Sequence, residues 1–284
     1  MSRRDRKPVR AQAQVHTLSY GPLPEHEVDV RLPTNGDGSS SSPESSSPVP
    51  LVVVVHGGFW KREWDRSHAA DQSDALAAAG YVVATVEYRR VDQPGDGWPA
   101  VFDDMALLAD TVPGLVAHAV ESMAAPCRVD LARVVFVGHS AGGHLATWAA
   151  SRHKLPASSP YHLAEAPSLR VVSLAGVVDL AMADAMDLGG GATRALLGGA
   201  PDECPQRWAT ADPSRLAPTG VPTILVHGDR DEPVPLALSQ SYVAASASSV
   251  VELRVLSGAD HMDLVTPGSR AWPAVLDAIA DALA

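Results

Sequence analysis

The chain has 284 residues, with 22 Lys and Arg against 33 Asp and Glu, a formal net charge of −11. Its 46% hydrophobic content is enough to bury a large core, which excludes a wholly disordered chain and suits one large domain. The acidic balance argues against a nucleic-acid partner, and no apolar run approaches the roughly 20 residues that cross a bilayer, so no membrane partner is expected.

The opening MSRRDRKPVR is basic and lacks the apolar stretch of an export signal. Residues 1–14 are therefore expected to form a flexible terminus ahead of a single domain over 15–284. The two cysteines, Cys127 and Cys204, make no disulfide framework and fit a reducing, cytoplasmic location. HEVDVRL (26–32) and LVVVV (51–55) read as strands. Between them, residues 33–50 are almost all Ser, Pro and Gly, and have nothing to bury; a disordered surface loop is expected.

From Leu51 onward short apolar runs alternate with Ala- and Leu-rich stretches. Further strands are predicted at 81–88, 134–137, 171–175, 223–227 and 250–256, and helices at 66–79, 99–111, 141–152, 235–247 and 270–283. Several strands are nearly continuous in β-branched residues, as in strands covered on both faces. The alternation implies an α/β fold, with a mostly parallel central sheet and helices on both faces. Residues 176–220, between two strands, are glycine-rich and are expected to form a small cap over the site. In such sheets sites gather at the carboxyl ends of the strands.

Four motifs fall at those ends. GHSAG (138–142) follows the strand VVFV and opens a helical stretch. This is the context in which G-x-S-x-G exposes a serine hydroxyl on a sharp turn, so Ser140 is the candidate nucleophile. HGGFW (56–60) follows LVVVV; its glycines free backbone N–H groups, and Gly58 and Phe59, with Ala141 after the serine, are the candidate oxyanion donors. His56 is read as a pin for that loop, and Trp60 as a candidate substrate contact lining an acyl or aryl pocket. HGDRDEPVP (227–235) offers Asp229 and Asp231; Asp231 is chosen as the acid that orients a histidine, and Asp229, nearer the strand end, as a turn cap. GADHMDLV (258–265) places His261 in a polar loop, as suits a general base. No H-E-x-x-H or similar ligand set, G-x-G-x-x-G or P-loop is present, so neither metal nor cofactor is expected.

The order Ser140, Asp231, His261, each after a strand, resembles the α/β-hydrolase superfamily from about Leu51 to the end of the chain. HGGFW, GHSAGGHLA and AGVVDL (175–180) together resemble the small esterases and the kynurenine formamidase (arylformamidase) group. The resemblance implies a serine hydrolase that cleaves small carboxylic esters or aryl formamides through an acyl-enzyme. HGDRDEPVP is also similar to the catalytic domain of prolyl-oligopeptidase-type peptidases, though no propeller region precedes it. A non-catalytic receptor on the same fold would be expected to carry a damaged triad. The Ser-rich insert and the glycine-rich cap depart from the group's pattern and bear on substrate preference.

Overall fold

The computed structural model describes residues 14–34, 48–91, 97–247 and 250–284. The basic terminus (1–13) and most of the Ser-rich segment (35–47) lie outside the described residues. Eight strands form one sheet: β1 (Val15–Ser19), β2 (Glu27–Arg31), β3 (Val49–Val55), β4 (Val82–Val86), β5 (Val129–His139), β6 (Arg170–Leu174), β7 (Thr223–Gly228) and β8 (Val251–Leu256). Their order is β1-β2-β4-β3-β5-β6-β7-β8. The β1–β2 and β2–β4 pairings are antiparallel and all the others are parallel.

The helices are α1 (Ala70–Ala78), α2 (Ala100–Ser122), α3 (Ala141–Ala150), α4 (Leu180–Ala185), α5 (Ala192–Leu197), α6 (Pro205–Ala211), α7 (Pro213–Leu216), α8 (Ala237–Ser246) and α9 (Trp272–Leu283). Alternate side chains of a strand point to opposite faces, which lets one valine run serve two cores. Val53 and Val55 of β3 pack with α2 and α3 through Val101, Met105 and Leu145. Val52 and Val54 pack on the other face with Leu76 of α1 and Val275 and Ile279 of α9. A smaller cluster seats Tyr242 of α8 against Leu225.

Several element boundaries differ from those expected of the sequence, β5 for one starting five residues earlier at Val129, and three differences bear on the fold. β3 begins at Val49, with a register shift at Pro50, so the expected loop ends two residues early. β1 was not expected; it is an edge strand with exposed and half-buried residues alternating, and it carries no apolar run. α2 runs 23 residues straight through Pro113. Pro removes one helical hydrogen bond, but Val112, Val116 and Val120 keep a buried stripe on either side of it, and that packing carries the helix on.

Residues 176–220 contain α4 to α7, seated on α3: His144 Nε2 donates to the Ala211 carbonyl and Trp148 Nε1 to the Thr210 carbonyl, each at 2.9 Å. Asp179 caps α4 through the Met182 N–H at 2.8 Å. The buried Asp212 accepts the N–H groups of Ala181 and Ser214 at 3.2 and 3.1 Å. Its carboxyl is pushed up by burial and by Asp179.

Candidate active site

Ser140 stands between the end of β5 and the start of α3 with φ 56° and ψ −118°. That region is sparsely allowed for residues with a Cβ, and surrounding contacts must hold it. The Ser140 N–H donates to the Leu174 carbonyl at 2.9 Å, and its own carbonyl accepts from Val177 N–H at 3.1 Å. The flanking glycines permit close approach. A Cβ on Gly138 would lie 2.1 Å from the Gly142 carbonyl oxygen, and one on Gly142 would lie 2.0 Å from the Val55 carbonyl oxygen. The elbow is thereby pressed against the end of β3.

The loop after β3 lies alongside. Gly57 has no room for a side chain, since its Cβ would sit 3.0 Å from the Ser140 Cβ. Gly58, Phe59 and Trp60 follow with φ of 109°, 50° and 58°, three consecutive residues in the positive region. The backbone N–H groups of Gly58 and Phe59 have no backbone acceptor among the described residues. Ala141 opens α3, where first-turn N–H groups lack intrahelical acceptors. His56 pins the loop as expected: its ring bonds the Gly57 carbonyl and Glu87 Oε1, both at 2.9 Å, and stacks on Tyr88. Burial would raise the Glu87 carboxyl, but His56, Arg90 and the Arg66 N–H outweigh it and hold the group below its usual range.

The loops after β7 and β8 bring the other two residues together. His261 Nδ1 donates to Asp231 Oδ2 at 2.7 Å, and Val234 N–H donates to Asp231 Oδ1 at 2.8 Å. Asp229 is exposed and instead accepts the Gly258 N–H at 2.6 Å, which ties the two loops.

Two further histidines brace this pair. His227 is fully buried, with Nε2 against the Val234 carbonyl at 2.8 Å and Nδ1 against Ser239 Oγ at 2.7 Å. A carbonyl only accepts, so Nε2 carries the proton and Nδ1 accepts from the serine hydroxyl. That N–H also lies 3.5 Å from Asp231 Oδ2. Burial holds the His227 pKa down. His139 donates Nε2–H to the His261 carbonyl at 3.0 Å, with the two rings 4.4 Å apart. Burial and then the neighbouring His261 depress His139 to about 3, so it stays neutral. His227 was not singled out from the sequence; the signal for it was its place near the end of β7, four residues before Asp231.

Ser140, His261, Gly58 and Phe59 all line one cavity of about 380 Å³, together with Trp64, His68, Gln72, Pro233, Met262 and Val265. Asp231 lies behind His261. Trp60 is not on this cavity: its positive φ turns the ring into the core, where it is fully enclosed and meets His144 edge-on, with ring centroids 5.2 Å apart. Trp64 supplies the aromatic wall expected of Trp60. No residue of 176–220 lines the cavity either; that segment reaches the 56–60 loop through Gly189, which packs on the Phe59 ring and accepts from Lys61 Nζ at 2.9 Å. Among the described residues no helix is long and apolar enough to cross a membrane.

Comparisons with known proteins agree with this architecture. The chain is 26% identical over 242 residues to esterase LipC of Mycobacterium tuberculosis (strain ATCC 25618 / H37Rv), covering 80% of this chain and 56% of that protein. It is 31% identical over 144 residues to kynurenine formamidase of Danio rerio, covering 48% of this chain and 40% of that protein. The chain thus spans about half the length of these curated relatives. Similar solved structures include a truncated carbohydrate esterase from gut microbiota, with TM-score 0.71, 18% identity, and coverage of 97% and 99% of the two chains. Esterase 2 of Thermogutta terrifontis phosphonylated by sarin has TM-score 0.69 and 18% identity, with coverage of 97% and 96%. The BD-FAE family model matches residues 40–245, more than half of the chain. The chain has the α/β-hydrolase fold and belongs to the BD-FAE family.

Proposed function

We propose that the chain is a serine esterase of small carboxylic esters, with Ser140 as nucleophile, His261 as general base and Asp231 as the acid that orients it. The observation that carries this reading is the placement of Ser140 and His261 on one cavity, with His261 Nδ1 already committed to Asp231 at 2.7 Å. That bond leaves Nε2 as the imidazole nitrogen free to take a proton. The serine hydroxyl adds to the ester carbonyl carbon while His261 Nε2 takes its proton. The N–H groups of Gly58, Phe59 and Ala141 receive the charge that develops on the carbonyl oxygen. His261 returns the proton to the departing alcohol oxygen, leaving the acyl group on Ser140. Water, deprotonated by the same nitrogen, then releases the acid. The neutral His139, close to the His261 ring, adds no positive charge of its own to the imidazolium formed on the way.

The names of the relatives support this reading: LipC and the Thermogutta protein are esterases, and the latter is phosphonylated by sarin. The likeness to a kynurenine formamidase, together with the aromatic walls Phe59 and Trp64, makes aryl formamides a second substrate class. The test is Ser140→Ala with p-nitrophenyl acetate. A loss of at least about 10³-fold in kcat, with an unchanged circular-dichroism spectrum, is expected; near wild-type turnover would remove Ser140 as the nucleophile. N-formylkynurenine assayed in parallel separates the two substrate classes.

A further inference from the structure

Trp64, His68 and Gln72 line one wall of the cavity at intervals of four residues. Trp64 and His68 are exposed at the mouth, their rings 4.7 Å apart, as is Met262 opposite. Gln72, the second residue after α1 begins, is only 3% exposed and lies deep. Its amide nitrogen is enclosed and has no hydrogen-bond partner among the described residues. Buried amides are nearly always paired, and an unpaired one disfavours the folded state. Apart from Ser140 and His261, the other deep polar side chains on this cavity are already engaged: His56 on Gly57 and Glu87, and His139 on the His261 carbonyl. Outside that pair, the Gln72 amide is therefore the uncommitted polar group on the inner wall. It turns about its last torsion at small cost, so it can offer a donor or an acceptor to the cavity.

We propose that Gln72 is a specificity-determining residue. Its amide hydrogen-bonds an oxygen, a carbonyl or a hydroxyl, carried by the substrate group that fills the cavity, so that the preferred esters are oxygenated away from the reacting carbonyl. This rests on the serine esterase reading above. A site built around a hydrogen bond rejects the analogue that lacks it, because the buried group is then left unpaired.

The test uses pairs matched in length. On the acyl side, p-nitrophenyl pentanoate is compared with p-nitrophenyl 4-oxopentanoate. On the alcohol side, pentyl acetate is compared with 4-hydroxybutyl acetate. Each rate is divided by that of hydroxide-catalysed hydrolysis. In the wild type, kcat/KM is expected to favour the oxygenated member of one pair by about tenfold, the yield of one neutral hydrogen bond. Gln72→Met, similar in length and apolar, is expected to bring that ratio near one and to raise Tm by removing an unpaired buried amide. The pair that responds identifies which side of the ester enters the cavity. No preference in the wild type, ratios unchanged in the variant, or a lowered Tm would each overturn the role. Turnover of the same esters surviving in Ser140→Ala would instead overturn the underlying esterase reading.

Discussion

Asp231→Asn gives the sharpest test of the proposed triad, because the structure fixes which way the new amide must face. Asp231 holds two donors at once, the Val234 N–H on Oδ1 at 2.8 Å and His261 Nδ1–H on Oδ2 at 2.7 Å. The Val234 donor is backbone and cannot change sign. Asparagine therefore keeps its oxygen there and turns its NH₂ toward His261; the opposite orientation would set two buried donors against each other at about 1–3 kcal/mol. Facing a donor, His261 Nδ1 must accept, and its proton moves to Nε2, the nitrogen that has to take the proton of Ser140. In an established triad this tautomer exchange costs about 10⁴ in kcat, or about 5.4 kcal/mol at 1.36 kcal/mol per tenfold. The same loss is expected here in steady-state hydrolysis of p-nitrophenyl acetate at pH 7.5. Asp229→Asn, which touches only the Gly258 N–H, should stay within about threefold of wild type. An Asp231→Asn enzyme within tenfold of wild type, or an equal loss in Asp229→Asn, would refute the assignment.

Two other predictions concern stability. Gly142→Ala places a Cβ 2.0 Å from the Val55 carbonyl oxygen and 2.6 Å from that of His56, both backbone atoms; relief requires α3 and β3 to part, and a loss of about 3 kcal/mol or more is expected from urea unfolding, whereas a loss below about 1 kcal/mol would show the elbow to be slack. His139 and His144 are held by burial at about 3 and about 4, below the ordinary 6.5. The unfolded chain therefore binds two protons that the folded chain refuses once pH drops below about 6.5. Above that value the pair contributes nothing; below it stability falls by up to about 1.4 kcal/mol per pH unit for each histidine. The two together should lower unfolding free energy by about 2.7 kcal/mol between pH 7.5 and pH 5.5, and a urea midpoint that held or rose over this range would contradict their burial as neutral groups.

The sheet's parallel core was legible because its strands are covered on both faces and so appear as unbroken β-branched runs. β1 was not: one edge of it faces solvent, and VHTLS carries no pattern stronger than a loop's. The predicted helix stops at 111, two residues before Pro113, whereas a long-range packing stripe carries the observed helix past that proline. In the candidate site, motif and spacing were enough to single out Ser140 and His261, which line one cavity, and Asp231 rather than Asp229, which bonds His261. Cavity walls follow no such rule. Which of Trp60 and Trp64 faces the cavity depends on the positive φ at residues 58 to 60, which glycine announces at Gly58 but nothing in the letters announces at Phe59 or Trp60. Gln72 became visible only once its neighbours were known.

The strand order carries a consequence for how the proposed catalytic parts are shared across the molecule. The 56–60 loop and Ser140 hang from β3 and β5, adjacent at the middle of the sheet, while Asp231 and His261 hang from β7 and β8, the latter a margin strand with one free side. The proposed nucleophile and charge-stabilising donors thus sit in the interior of the sheet, and the proposed proton-handling pair toward its edge, where local opening is expected to cost least. One hydrogen bond, from His139 to the His261 carbonyl, spans the two directly. Heat or denaturant that peels back the margin is expected to silence the proposed activity while the central elbow and most of the chain's order are still in place.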